Sequence, residues 1–85
     1  MILYSVYLES SVAEHLFGLK SKEQNQLIRL FEKLRSNPFL DGDYIEHDDV
    51  GRHIQVLVIG RFAVCYWADH AAKEVKILDL KTAGS

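Results

Sequence analysis

Residues 51–80 alternate between hydrophobic and polar positions in three short runs, and this pattern predicts three strands. The first run carries His53, Gln55 and Leu57 on one side and Ile54, Val56 and Val58 on the other. The second run covers residues 62–67, and the third covers residues 75–80. A period of two with branched and aromatic side chains indicates a pleated sheet that has one buried face. We therefore expect His53 to lie opposite Ile54 and Val56, on a face that is free to act.

The residues before this meander predict a further strand and two amphipathic helices. Residues 2–8 alternate weakly and predict the strand, while residues 11–14 and 21–24 have the form of capping boxes at two helix starts. The first helix should end near Gly18, and the second near Asn37 because Pro38 follows it. The apolar stripe of the second helix consists of Leu27, Ile28, Phe31 and Leu34. Residues 39–50 predict a loop, with a short strand at residues 44–47.

This order of elements predicts one α+β domain that covers residues 1–85. Helices that are grouped before a run of strands typically cover one face of a sheet. The expected architecture is a helical hairpin packed on a small antiparallel β-sheet. A chain of 85 residues supports one domain of modest stability.

Composition narrows the functional classes. The formal net charge of −2 argues mildly against strong phosphate binding. The charge is uneven, because residues 1–50 carry five Lys or Arg against nine Asp or Glu, whereas residues 51–85 carry five against three. A single cysteine excludes an intrachain disulfide, and no segment resembles a secretory signal or a membrane span, so we expect a cytoplasmic protein with no membrane partner. We expect no cofactor, and no metal site either, because the spacing of His47, Asp48, Asp49 and His53 matches no zinc arrangement.

Two local motifs and the order of the elements resemble the RelE/ParE superfamily of toxins. The motifs are residues 36–39 (SNPF) after the second helix and residues 59–66 (IGRFAVCY) at the hairpin of the meander. The resemblance extends over nearly the whole chain. It implies a toxin of a type II toxin–antitoxin, plasmid-stabilisation module, with a cognate antitoxin as partner. RelE-like members cleave messenger RNA on the ribosome, and ParE-like members inhibit DNA gyrase.

The resemblance also implies a basic concave sheet face, and several positions of this chain depart from it. Aligned through Gly60 and Tyr66, the hairpin arginine of the family falls on Ala63. Two lysines of some members fall near His53 and Gln55, and the basic-aromatic C-terminal stretch is reduced to residues 81–83. The resemblance favours, as the first hypothesis, a toxin that inhibits translation by ribosome-dependent RNA cleavage. The departures favour the alternative that follows. The alternative is a catalytically degenerate protein-binding module or gyrase-type inhibitor. Endoribonuclease activity and homodimer formation stay open.

Candidate site residues follow from the chemistry of RNA cleavage, which needs a base, an acid and a cation. We predict His53, Arg61 and Arg52 as catalytic residues, because histidine titrates near neutral pH and arginine binds phosphate through a planar fork. We predict Gln55, Lys81 and Trp67 as substrate-binding residues, with Trp67 stacking a base or anchoring a partner. The alternatives are an ordinary surface histidine at position 53, an unpaired turn arginine at position 61 and core packing for the tryptophan.

Overall fold

The computed structural model describes residues 2–82, and these form two helices and five strands. In chain order they are β1 (Ser5–Leu8), α1 (Ser10–Phe17), α2 (Ser21–Ser36), β2 (Tyr44–His47), β3 (His53–Ile59), β4 (Phe62–Asp69) and β5 (Glu74–Thr82). The structure confirms the predicted α+β class, the helical hairpin and the three-strand meander. It also confirms the short strand predicted within the loop, which is β2. Within the described residues, no helix is long and apolar enough to cross a membrane.

The five strands form one sheet in the order β1-β5-β4-β3-β2. The meander and β2 pair in antiparallel fashion, but β1 pairs with β5 in parallel, with Val6 opposite Val75. The sheet is therefore mixed and not wholly antiparallel as expected. The parallel pair arises because the two helices carry the chain back to the same end of the sheet before the meander begins. As a result, the first and last strands of the chain are neighbours.

The main hydrophobic core lies between the helices and one face of the sheet. Its fully buried members include Leu27 and Leu34 of α2, Val12 of α1, Phe62 and Tyr66 of β4. Side chains three and four residues apart share one side of a helix, and side chains two apart share one side of a strand, so both periodicities converge on this layer. We call the sheet face that bears Phe62 and Tyr66 the helix side.

The helix starts differ from the predicted capping boxes. α1 begins at Ser10 after Glu9, and α2 begins at Ser21 after Lys20, and neither flanking residue makes a side-chain cap hydrogen bond. The Gln24 amide instead donates to the carbonyls of Phe17 and Leu19, which ties α2 to the end of α1. The predicted ends are confirmed, since Gly18 and Asn37 follow the last residues of α1 and α2.

Candidate functional site on the open sheet face

A second, smaller apolar cluster lies on the sheet face opposite the helices, and we call this the open face. Its buried members are Ile54, Val56, Ala63 and Cys65, with Trp67 and Leu78 packed against them. All six residues belong to β3, β4 and β5, and none belongs to a helix. Both faces of the central strands are therefore apolar, which is why hydrophobic alternation along β3 alone does not identify the helix side.

The strand register separates residues that were expected to share one face. Gln55 pairs with Tyr66, and Leu57 pairs with Val64, so these side chains lie on the helix side together with His53. The prediction that His53 and Gln55 lie on the face away from the helices is wrong, because Ile54 and Val56 pack in the open-face cluster and not against the helices. Directly paired residues of antiparallel strands project to the same side, and a shift of one residue exchanges the two faces.

A tryptophan flanked by two cations forms the most distinctive chemical feature of the open face. The guanidinium carbon of Arg52 lies 4.7 Å from the centroid of the Trp67 ring, and the Lys76 Nζ lies 5.4 Å from it. Both distances fall within the range of cation–π attraction. Lys76 reaches the ring because it pairs directly with Trp67 across β4 and β5. Such a group can hold a phosphate next to a stacked base.

Lys81 forms a second basic position on the open face, near the thiol of Cys65. Burial raises the pKa of this thiol, the Lys81 charge lowers it, and the Glu46 and Asp79 charges raise it further. These three charged groups therefore surround Cys65 from β5 and from the edge strand β2. Ala63, which pairs with Lys81, occupies the floor between the strands. The apolar floor is thus covered by long polar side chains.

Carboxylates accompany every cation of the open face. Asp48 binds the Arg52 guanidinium and also accepts a hydrogen bond from the Arg52 backbone N–H at 2.8 Å. Lys76 lies 3.6 Å from Asp69, and Lys81 lies 3.9 Å from Asp79. The face is therefore zwitterionic, whereas the family resemblance implies a basic one.

The carboxylates beside Arg52 and Lys76 are held in their charged forms. Burial alone would raise the pKa of Asp48, but hydrogen bonds from the Arg52 backbone and side chain and from the Val50 backbone outweigh it, and the pKa is lowered. The pKa of Asp69 is lowered mainly by a hydrogen bond from the Ala72 backbone N–H, with Lys76 adding to the effect. Both residues therefore remain acceptors at neutral pH.

Arg61 lies far from this cluster. Its guanidinium donates to both oxygens of Glu23 on α2, with Nε 2.6 Å from Oε2 and Nη2 3.0 Å from Oε1. Hydrogen bonding and the Arg61 charge lower the pKa of Glu23, while the same contact raises that of Arg61. The side chain also lies over the Phe62 ring. The structure thus gives the turn arginine a partner and does not bring it together with Arg52 or His53.

His53 and Gln55 line a cleft between β3 and β4 on the helix side. The pairing of these strands ends at Gln55 and Tyr66, although β3 begins at His53 and β4 continues to Asp69. The strands diverge beyond that point, and a cavity of about 290 Å³ opens between them. His53 also contacts His47 in an edge-to-face arrangement, with ring centroids 4.6 Å apart.

The structure thus divides the predicted site residues into three groups. Arg52, Trp67 and Lys81 lie on the open face, His53 and Gln55 lie in the cleft, which Trp67 also lines, and Arg61 lies against α2. Sequence reasoning missed Lys76, since its position beside Trp67 depends on a β-bulge that shifts the register between Cys65 and Tyr66. The sequence does carry a sign of this bulge, because the helix-side residues Ile77 and Leu80 of β5 are three positions apart instead of two.

Residues 2–82 contain no group of three or more His, Cys, Asp or Glu arranged to hold a metal ion.

The known proteins that this chain resembles are solved structures with the same fold. No family model and no curated protein sequence matches the chain. The chain is similar to a structure described as the archaeal RelE–RelB complex from Pyrococcus horikoshii OT3, at 20% identity and a TM-score of 0.81, with 98% of each chain covered. It is also similar to the toxin–antitoxin complex RelBE2 from Mycobacterium tuberculosis, at 17% identity and a TM-score of 0.77, with 100% of this chain and 97% of the other covered.

A third similar structure is that of the isolated E. coli RelE toxin, at 10% identity and a TM-score of 0.75, with 96% of this chain and 86% of the other covered. At these identities the likeness shows the fold. The chain therefore has the RelE fold over nearly its whole length, and the predicted architecture is confirmed.

Proposed function

We propose that this chain is the toxin component of a type II toxin–antitoxin module, held inactive by a cognate antitoxin. The observation that carries the proposal is the fold shared over 98% of both chains with the RelE–RelB complex. A fold can host several functions, so the activity has to be argued from the site itself. Two of the similar structures are complexes of a toxin with its antitoxin, which supports a protein partner of the same kind.

The open face supports inhibition of translation by cleavage of ribosome-bound messenger RNA. Arg52 and Lys81 would bind phosphate, and Trp67 would stack a base of a single strand. Charge on the cleaved phosphate would be stabilised by these cations, which is the main contribution expected of such a site. Proton transfer would fall to a carboxylate, because no histidine of residues 2–82 lies on the open face. His15 lies on α1, His47 and His53 lie on the helix side, and His70 lies in the turn after β4. Glu46, opposite Ile54 on the open face, is the candidate base.

Expression of the chain alone, from a tightly repressed promoter, tests the toxin proposal. We expect growth arrest on induction, and relief when a candidate antitoxin gene from the neighbouring sequence is expressed at the same time. The double variant Arg52→Ala with Lys81→Ala should relieve the arrest. Arg29→Ala with Lys33→Ala is the matched control, since it also removes two exposed cations, but from α2. Normal growth with abundant, folded wild-type protein would contradict the proposal.

Translation in a reconstituted system separates RNA cleavage from other toxic events. Primer extension on the translated message should show cuts that need both the ribosome and the intact open face. The variant His53→Ala with Arg61→Ala should still cut, since neither side chain lies on that face. Arrest of supercoiling by gyrase without any cut would instead favour the ParE-like activity.

A second candidate function is a binding module that has this fold and no catalysis. The specific observation in its favour is the pairing of Arg52, Lys76 and Lys81 with Asp48, Asp69 and Asp79, which reduces the attraction for phosphate. This reading predicts a tight complex with the antitoxin and unchanged translation and supercoiling. The same expression and translation experiments therefore decide between the two candidates.

A further inference from the structure

The cleft between the diverging ends of β3 and β4 combines aromatic walls with a carboxylate. Phe39, Tyr66, Trp67 and His70 contribute rings to its lining, and Asp41 contributes a carboxylate. The volume of about 290 Å³ lies near the lower end of ligand pockets, so the cleft can accept one side chain or a comparably small group. The proposal for the open face shares Trp67 with this cleft and uses none of its other lining residues.

The walls of the cleft are held in place by contacts within the chain. The rings of Phe39 and His70 stack with centroids 4.5 Å apart and planes inclined by 14°. His70 is fixed in turn by the Tyr4 hydroxyl, whose oxygen lies 2.7 Å from Nδ1. On the floor, the buried Tyr66 hydroxyl donates to the Leu40 carbonyl at 2.8 Å. A cleft that is ordered in advance binds at a lower entropic cost.

The opposite wall is equally fixed, because Gln55 is tied to the loop that precedes β2. The Gly42 N–H donates to Gln55 Oε1 at 2.8 Å, and the Asp43 N–H donates to the Val56 carbonyl at 2.7 Å. These bonds place Asp41 at the mouth of the cleft. The Phe39 ring is 72% exposed there, so it offers a large apolar surface to an incoming group.

We propose that this cleft is a docking site for an arginine side chain within a basic segment of a protein partner. A guanidinium is planar and would stack against the exposed Phe39 ring, while its fork of N–H donors would meet the Asp41 carboxylate. Lysine offers only a point charge and would fit this arrangement less well. The inference concerns a cleft that meets the open face only at Trp67, and it does not depend on whether the chain is toxic.

Charge complementarity favours a basic protein segment over RNA in this cleft. Asp41 and Asp43 both lie close enough to the Tyr66 hydroxyl to contribute to its raised pKa. Their negative potential repels a phosphate backbone and attracts a cation. Arg52 and Lys76, which approach the Trp67 ring, already have Asp48 and Asp69 as partners, while Lys73 lies over the Tyr4 ring.

Nuclear magnetic resonance of the full chain with small probes tests this inference. Arginine with both termini capped should shift the Trp67 indole and Ala68 amide signals saturably. Capped lysine should bind several-fold more weakly. Asp41→Asn should weaken arginine binding about ten-fold, as expected for the loss of a charge-assisted bond. Phe39→Ala should weaken it as well, and both substitutions lie at exposed positions that contribute little to folding.

Asp49→Asn is the matched control, since it removes one carboxylate from the same acidic stretch but outside the cleft. It should leave arginine binding unchanged. Equal weakening by Asp41→Asn and Asp49→Asn would overturn the inference, because general charge attraction would then explain the binding. Saturable shifts with guanosine monophosphate but not with capped arginine would overturn it in favour of a nucleotide site. No binding of any probe would overturn it too, and the growth assay would remain unaffected by that result.

Discussion

At the scale of single residues, Tyr66 joins the core, the cleft and the loop after α2. It is 1% exposed, and its hydroxyl donates to the Leu40 carbonyl. Tyr66→Phe keeps the ring but leaves that carbonyl without its donor, so the free energy of unfolding should fall by about 0.5–1.5 kcal/mol. Urea unfolding of the two proteins measures the difference. Tyr7→Phe is the control, since its ring is half exposed on β1, and a change of equal size there would contradict the argument.

The same residue makes stability depend on pH in the alkaline range. Burial, followed by the charges of Asp41 and Asp43, raises the pKa of Tyr66 from 10.0 to about 12. A raised pKa in the folded state means that the unfolded chain releases the proton more easily. The stabilising contribution is therefore complete below pH 10 and is lost as the pH rises towards about 12. Wild-type stability should fall over this window more steeply than that of Tyr66→Phe, and urea midpoints at several pH values would show it.

Cys65 should be unreactive in the folded protein. The residue is 5% exposed, and burial raises the pKa of its thiol, so both access and the thiolate fraction are low. Alkylation by iodoacetamide at pH 8 should be slow for the native chain and fast in denaturant, as mass spectrometry would measure. Fast alkylation under native conditions would mean that the centre of the open face is accessible.

Charge and aromaticity mark Arg52, Trp67 and Lys81 as candidates in the sequence, and the structure places all three on the open face. Alternation predicts the wrong face for His53, and the reason is physical. β3 is apolar on both sides, with Ile54 and Val56 facing one cluster and Leu57 facing the other. Alternation shows which residues share a side of a strand but not which side meets the helices. The Glu23 partner of Arg61 lies 38 positions away in the chain, so only the fold reveals it.

At the scale of elements, the loop before β2 depends on glycine at position 42. A Cβ at Gly42 would lie 2.5 Å from the Val56 carbonyl oxygen, so the two backbones are in close contact. Gly42→Ala should force this segment away from β3 and lower the free energy of unfolding by about 1–3 kcal/mol. It should also weaken arginine binding in the cleft, because Gln55 would lose its bond to the Gly42 N–H.

Gly18→Ala provides the matched control for this substitution. Gly18 has φ −83°, and a Cβ there would lie 3.6 Å from its nearest neighbours, which is ordinary contact. Alanine should therefore stabilise the chain by about 0.4–1 kcal/mol, because the unfolded state loses freedom at no cost in the folded one. Thermal unfolding followed by circular dichroism compares the two variants. Destabilisation at both positions would contradict the assigned role of the close contact.

The elements themselves were easier to predict than their details. Long periodic segments and the Asn37–Pro38 stop identify α2 and the meander without tertiary information. The capping pattern predicts the start of α1 two residues too late and that of α2 one residue too late, since Ser11 and Ser21 fit the pattern but lie inside the helices. The bulge in β5 stayed hidden, because Ile77 and Leu78 form an unbroken apolar pair that serves both faces of the sheet.

At the scale of the whole molecule, one core joins elements from both ends of the chain. β1 pairs with β5, and the main cluster contains residues of α1, α2 and the meander. The order of elements predicted a helical layer on a sheet, but the parallel pairing of β1 could not be deduced from alternation. Parallel and antiparallel strands share the same side-chain period, so only the path of the chain through the two helices determines the direction.

This shared core predicts a single cooperative unfolding transition. The only tryptophan, Trp67, reports on the open face of the sheet, whereas far-ultraviolet circular dichroism at 222 nm reports mainly on the two helices. Because Val64 and Tyr66 on β4 belong to the same buried cluster as Leu27 and Leu34 on α2, neither layer should remain folded without the other. The urea midpoints from the two probes should therefore coincide.

Leu34→Ala extends this test to a weakened core. The side chain is fully buried on α2, so the substitution should lower the free energy of unfolding by about 2–5 kcal/mol. Both probes should shift to the same lower midpoint, although the substituted residue touches the helix side and the tryptophan lies on the open face. Ile28→Ala on the same helix is the control, because the half-exposed Ile28 should cost far less. A sheet signal that persisted after loss of the helical signal would show that the open-face cluster can hold the strands together by itself.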